Sequence, residues 1–209
     1  MIRKITSKEE ESKRKKRNQI IAGAILVGIM VLSTIGYAFQ GLNDFGKNQG
    51  YEEVDYNGFN FKKINGFWIL NKSGTEMIFS YNPRETEDFN KIISSYNLNQ
   101  IDKYYQKPLY SFSDTKEAEI EIYTNLRYFI QRMQPACLDK NETIPYTNIS
   151  IDCDKSLPVK NCDDMFIIIT ESNYTGITQK RNCVFIAGKK EEKLKITDEF
   201  LFKIFGIKS

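Results

Sequence analysis

The sequence predicts an α+β protein: an N-terminal transmembrane helix, then one extracytoplasmic domain with a β-meander, a mixed sheet and two main helices, stabilised by disulfides. Three observations lead there. Ile20 to Phe39 is a run of 20 residues without a charge. All four cysteines, Cys137, Cys153, Cys162 and Cys183, lie after that run. Beyond it, short strand-like segments broken by Gly-containing turns alternate with two stretches of helical periodicity.

Residues 1–19 form a basic tail with eight Lys/Arg against three Glu, a net of +5. The chain's total is +3, so everything after the tail sums to −2. The basic character is local, and the main domain lacks the broad positive surface that nucleic acid requires. The 209-residue chain has no histidine, which removes the commonest general base and the commonest transition-metal ligand.

As a helix, residues 20–39 span about 30 Å, the thickness of a bilayer's hydrocarbon core. A cleaved export signal normally has a shorter apolar stretch, about 7–15 residues, and a shorter basic start. The sequence therefore reads as an uncleaved anchor. Gly36-Tyr37-Ala38 leaves open the alternative of cleavage after Ala38 and release of a secreted domain. Basic residues crowd the N-terminal flank, while residues 40–60 hold only Lys47, so the positive-inside bias places the N-terminus in the cytoplasm and the large domain outside. Ala24 and Gly28 form a small-xxx-small pair suited to helix packing in the bilayer.

Residues 40–57, polar and glycine-containing, read as a linker, and residues 58–209 as the folded domain. Phe59-Asn60-Phe61, Phe67–Leu70 and Met77–Tyr81 predict three strands joined by turns at Asn65-Gly66 and Ser73-Gly74. Thr86 caps an expected short helix to about Ser94, and Leu109–Phe112 predicts a buried strand. Asp114 is the expected N-cap of a longer helix reaching about Gln134, with Ile122, Leu126, Phe129, Ile130 and Met133 on its apolar face. Residues 138–161, with Pro145 and Pro158, read as a tethered loop. Met165–Thr170 and Cys183–Ala187 are continuous apolar runs of the kind buried on both faces of a sheet. Leu194, Thr197, Leu201 and Phe205 mark one face of a closing helix, with Gly206 to end it.

An even cysteine count on the outer side of a membrane predicts two disulfides. Three pairings exist. Cys137–Cys153 with Cys162–Cys183 is favoured, because the first closes a local polar loop and the second ties neighbouring strands. Zinc binding is disfavoured, since no Cys-x-x-Cys pair is present. Asn71, Asn141, Asn148 and Asn173 head Asn-x-Ser/Thr sequons and are glycosylation candidates. No metal or cofactor motif is present.

Catalytic motifs are missing too. Asp152, Asp154, Asp163 and Asp164 cluster in sequence, and Asp163 or Asp164 are the residues a carboxylate-dependent hydrolase would use. The calcium-loop spacing is absent. Aromatic residues are dense from Tyr51 to Trp68 and from Tyr104 to Tyr110; at strand spacing they read as core, with a binding face as the alternative. The segment Leu157-Pro-Val-Lys-Asn-Cys-Asp-Asp, the Phe-Ile-Ile-Ile run, Asn182-Cys-Val-Phe-Ile-Ala-Gly and the closing Thr197-Asp-Glu-Phe-Leu-Phe-Lys-Ile-Phe-Gly-Ile resemble uncharacterised single-pass membrane proteins of small-genome archaea. The resemblance covers the tail and the C-terminal third, implies an archaeal cell envelope, and brings no catalytic or ligand residues with it. The expected function is a non-enzymatic binding or envelope-assembly module, whose partners are the lipid bilayer and another envelope protein or surface component. The alternative is a membrane-anchored hydrolase.

Overall fold

A computed structural model of the chain describes residues 52–89, 98–143, 145 and 153–208. The expected transmembrane helix with Ala24 and Gly28, the cleavage motif, Asn148 and Asp152 lie outside the described residues. Among the described residues no helix is long and apolar enough to cross a membrane.

The meander has four strands rather than three: β1 (Glu53–Tyr56), β2 (Phe59–Ile64), β3 (Phe67–Lys72) and β4 (Thr75–Phe79), each antiparallel to the next. The segment expected to be linker up to residue 57 thus supplies a strand. Its hairpins share one device. Asn57-Gly58, Asn65-Gly66 and Ser73-Gly74 each place two successive residues at positive φ, as a two-residue turn matched to strand twist requires. One face of this sheet is apolar. It carries Phe61, Trp68, Leu70, Met77 and Phe79, all at most 2 % exposed.

Glu87–Phe89 form a 3-10 turn at the start of the expected short helix, whose remainder to about Ser94 lies outside the described residues; the chain then builds a second sheet. Its strands are β5 (Pro108–Ser113), β6 (Arg132–Pro135), β9 (Met165–Glu171), β10 (Gly176–Lys180) and β11 (Cys183–Gly188), in the order β10-β11-β9-β5-β6. Only β10 runs antiparallel to its neighbour. Helix α1 (Lys116–Leu126) crosses from β5 to β6, and α2 (Lys193–Ile204) closes the domain. A two-stranded parallel ladder, β7 (Cys137–Leu138) with β8 (Val159–Lys160), forms inside the segment expected to be loop.

The helices lie between the sheets. Phe202 of α2 meets Phe61 and Phe79 of the meander at ring distances of 5.8 and 4.7 Å. Ile122 and Leu126 of α1 join Ile167, Ile169, Val184 and Ile186 of the second sheet in the same core. The other face of that sheet carries a smaller core of Tyr110, Phe166, Ile168, Phe185, Ala136 and the Cys162 and Cys183 sulfurs.

Two helix expectations are corrected. The helix after Asp114 stops at Leu126, not near Gln134. Its apolar spacing continues through Ile130, which is buried, but Met133 enters β6, whose backbone bonds to β5 replace the helical ones. Thr115, not Asp114, is its N-cap, because Asp114 receives the Glu171 N–H and Lys193 Nζ instead. Helix α2 is not amphipathic with one apolar face. Thr197, Leu201 and Phe205 are buried as expected, but so are Lys193, Asp198 and Glu199, since both sheets enclose it. Gly206 ends it at positive φ, as its position predicts.

Candidate functional site

The four cysteines and the described acidic residues Asp154, Asp163 and Asp164 lie on the side of the five-stranded sheet that carries the smaller core. Cys137 pairs with Cys153 and Cys162 with Cys183, with Cα separations of 5.8 and 4.9 Å. The first bridge closes the polar excursion between β7 and β8. The second joins the turn before β9 to the first residue of β11, and both its residues are fully buried. No cysteine is free.

The carboxylates around these bridges do not converge. Glu142 accepts from Lys180 Nζ at 2.9 Å, from the Cys162 N–H at 3.3 Å and from the Arg181 guanidinium. Lys180 is the main reason its carboxyl sits below the ordinary range. Arg181 also holds Asp163, which is 70 % exposed, while Asp164 pairs with Lys160 at 3.4 Å. Asp154 accepts the Ser156 N–H at 2.9 Å, which lowers its pKa. Asp163 and Asp164 thus engage separate cations, and that geometry does not make them an acid–base couple. Among the described residues no group of three or more Cys, Asp or Glu side chains is placed to hold a metal.

At the rim of the same face stands a cluster that sequence reasoning missed. Tyr110 of β5 has Lys160 Nζ 4.3 Å from its ring centre. Contact of Lys160, then of Arg132, with its hydroxyl pulls the phenol below its ordinary value; Tyr110 in turn raises Lys160. The three residues sit 22 to 50 positions apart on β5, β6 and β8, so no local motif announces them.

A second missed set lies on the helical side. Residues Glu121 and Asn125 of α1 are one helical turn apart, a rise of about 6 Å, close to the two-residue rise of a strand. They therefore reach alternate residues along the outer edge of β4. The Ile78 N–H donates to Asn125 Oδ1 at 2.9 Å, and Asn125 Nδ2 donates to the Ile78 carbonyl at 2.7 Å. The Ser80 N–H and hydroxyl both donate to Glu121, at 2.7 and 3.2 Å. The next amide, Tyr81, donates to Asp198 Oδ2 of α2 at 2.8 Å. Burial, foremost, raises both carboxyls, and Asp198 is raised further by the charge of Glu121 beside it.

Nearby, Lys208 Nζ contacts Glu199 Oε2 at 2.5 Å and Thr86 Oγ1 at 2.8 Å, and Thr86 donates to the same carboxylate at 2.7 Å. All three are buried. Lys193, also buried, meets Asp114 at 2.5 Å. Lys72 donates to the Phe205 carbonyl at the end of α2, and its burial lowers its pKa. These side chains join the meander and the N-terminal half of the domain to α2.

Asn71, Asn141 and Asn173, the described sequon residues, are exposed. Asn71 Oδ1 accepts the Gly74 N–H in the third hairpin turn, and Asn141 bonds to Asp139. Of the dense aromatic residues, Phe61, Trp68, Tyr104 and Tyr110 are core and Tyr56 and Phe59 pack against it, while Phe67 is 49 % exposed. Tyr105, Tyr123 and Tyr128 are instead at least 50 % exposed, as is Ile120 on the outer side of α1. A groove of about 330 Å³ lies beside β2 and β3, lined by Phe59, Asn60, Lys62, Ile64 and Ile69.

No protein family, no curated protein and no solved structure matches the chain.

Proposed function

We propose that the chain is a single-pass membrane protein whose folded domain works outside the cytoplasm as a non-enzymatic binding or envelope-assembly module. The observation that carries this reading is the complete pairing of the cysteines. Paired cysteines belong to oxidising compartments, and the uncharged residues 20–39 provide a segment of bilayer length at the start of the chain. The faint resemblance of the C-terminal third points the same way, toward an archaeal envelope.

For the binding role, support comes from the surface. Exposed Tyr123 and Ile120 stand one helical turn apart on α1, and Tyr128 follows with Arg127 over its ring at 4.6 Å. Tyrosine and arginine are the side chains that most often anchor protein–protein contacts. The partner is another envelope protein or surface component.

Two measurements test this. Protease added to intact cells should digest the domain from about Tyr56 onward; protection until the cells are broken defeats the location. Crosslinking in native membranes followed by mass spectrometry should return one recurrent partner attached near α1. Repeated crosslinking that returns no specific protein defeats the binding role. N-terminal sequencing of the mature chain separates an anchor from a domain released after Ala38.

A further inference from the structure

We propose that Glu121 and Asp198 form a buried proton-binding site, in which a single proton held between the two carboxyls fastens α1 and α2 to the end of β4. Three features of the pair support it. Both side chains are buried, Asp198 completely. They receive the amides of consecutive residues, Ser80 and Tyr81, at 2.7 and 2.8 Å, which sets the two carboxyls side by side at the end of β4, each within range of the other's charge. Glu121 has both oxygens occupied by Ser80. Asp198 has one oxygen occupied by Tyr81, and its Oδ1 is buried with no partner.

An unpartnered carboxylate oxygen beside a second carboxylate is costly to bury. A proton on Asp198 Oδ1 resolves it at once. The orphan oxygen becomes a donor, Glu121 becomes its acceptor, and one negative charge leaves the core. The groups around the pair do not supply an alternative. The Ser80 N–H and hydroxyl and the Tyr81 N–H are already used. Lys195 of α2 sits 5.8 Å from the ring of Tyr81, and Lys203 and Lys208 are drawn to Glu199. Asn125, one turn along α1, is spent on Ile78. The charge that bears most on Asp198 is that of Glu121.

The direction of the consequence follows from linkage. The folded protein keeps this proton at pH values where an unfolded chain, with ordinary carboxyls near about 4, has released it. The site's contribution is complete below that ordinary range. It is lost as pH rises through the pair's raised titration, by about tenfold in the unfolding equilibrium per pH unit for one proton. Most carboxylates act the other way, and Glu142 and Asp154 do so here, contributing stability that is lost in acid. The proton site therefore makes the helical side of this domain a structure that tightens in acid and loosens toward alkaline pH. It stands whether or not the chain is anchored.

The test uses the full chain in detergent micelles. Its single tryptophan, Trp68, is buried in β3, so its fluorescence follows unfolding of this domain. Denaturant unfolding is measured from about pH 4 to about pH 9 for the wild type and for Asp198→Asn. The asparagine keeps an oxygen for the Tyr81 N–H and offers a fixed amide donor to Glu121. The variant should therefore lose the alkaline decline, its unfolding equilibrium falling behind the wild type's by up to about tenfold per pH unit. Infrared spectra of the wild type at neutral pH should show a protonated-carboxyl stretch that Asp198→Asn and Glu121→Gln both remove. Equal pH slopes in wild type and variant, or a neutral wild-type spectrum without that band, overturn the proposal.

Discussion

The two faces of the five-stranded sheet are closed by different means. One is covered by α1, α2 and, beyond them, the meander, and it is held by burial: Ile167, Ile169, Val184 and Ile186 meet Ile122, Leu126, Ile196 and Phe200 in one continuous core. The other carries a smaller apolar core, and two disulfides and a set of ion pairs add to its closure. β9 serves both. Six of its seven residues are buried, alternate side chains pointing to each cover. The difference shows what a disulfide does for a segment that cannot bury enough surface on its own. It limits the unfolded chain rather than adding contacts to the folded one.

The comparison can be broken on each side. Phe202→Ala should cost the most, about 4 kcal/mol, because the ring is fully buried against Phe61 and Phe79 and joins the meander to the helices. Denaturant unfolding followed through Trp68 measures it. Replacing Cys162 and Cys183 together by alanine should cost about 3 kcal/mol, the value expected for a bridge spanning 21 residues. A loss as large as that of Phe202→Ala would show that the bridge also carries native packing.

Smaller effects sharpen the contrast. Mild reductant under native conditions should open Cys137–Cys153 first, since Cys153 is partly exposed and the other bridge is buried. Alkylation and peptide mapping should then find thiols at those two positions while the far-ultraviolet spectrum is unchanged. Gly188→Ala would place a methyl group 2.4 Å from Ile196 Cδ1, a flexible chain end that moves within a packed core. The expected cost is about 1 kcal/mol, read as a drop in melting temperature. Asp163→Asn should change stability by less than about 0.5 kcal/mol, because the carboxylate is largely in solvent and its Arg181 partner about half so.

What was legible in the sequence follows the same division. The buried strands Met165–Glu171 and Cys183–Gly188 announce themselves as apolar runs, and the disulfide pairing follows from them, since Cys183 opens one strand and Cys162 precedes its neighbour. β10 was missed because an edge strand of sequence Gly-Ile-Thr-Gln-Lys has a single large apolar residue to signal it. β1 left a usable signal: Val54 and Tyr56 alternate with acids, and Asn57-Gly58 repeats the turn chemistry of Asn65-Gly66. The helix after Thr115 was read too long because Ile130 keeps the 3.6-residue spacing after the backbone has left the helix. Least legible were the polar groups of the core. Glu121, Asn125, Asp198 and Glu199 look like solvent-facing residues of ordinary helices, and only the packing of sheets on both sides turns them inward.

The edge of β4 has one more consequence. An open strand edge invites a neighbouring chain to add itself and extend the sheet, the first step toward fibrous assembly. Here Asn125, Glu121 and Asp198 have already taken the amides of Ile78, Ser80 and Tyr81. At the far side of the second sheet, Pro135 withholds an amide at the end of β6. Copies of this protein crowded together meet fewer open amides along those margins. At the end of β4, recognition falls to side chains rather than to an unfinished ladder.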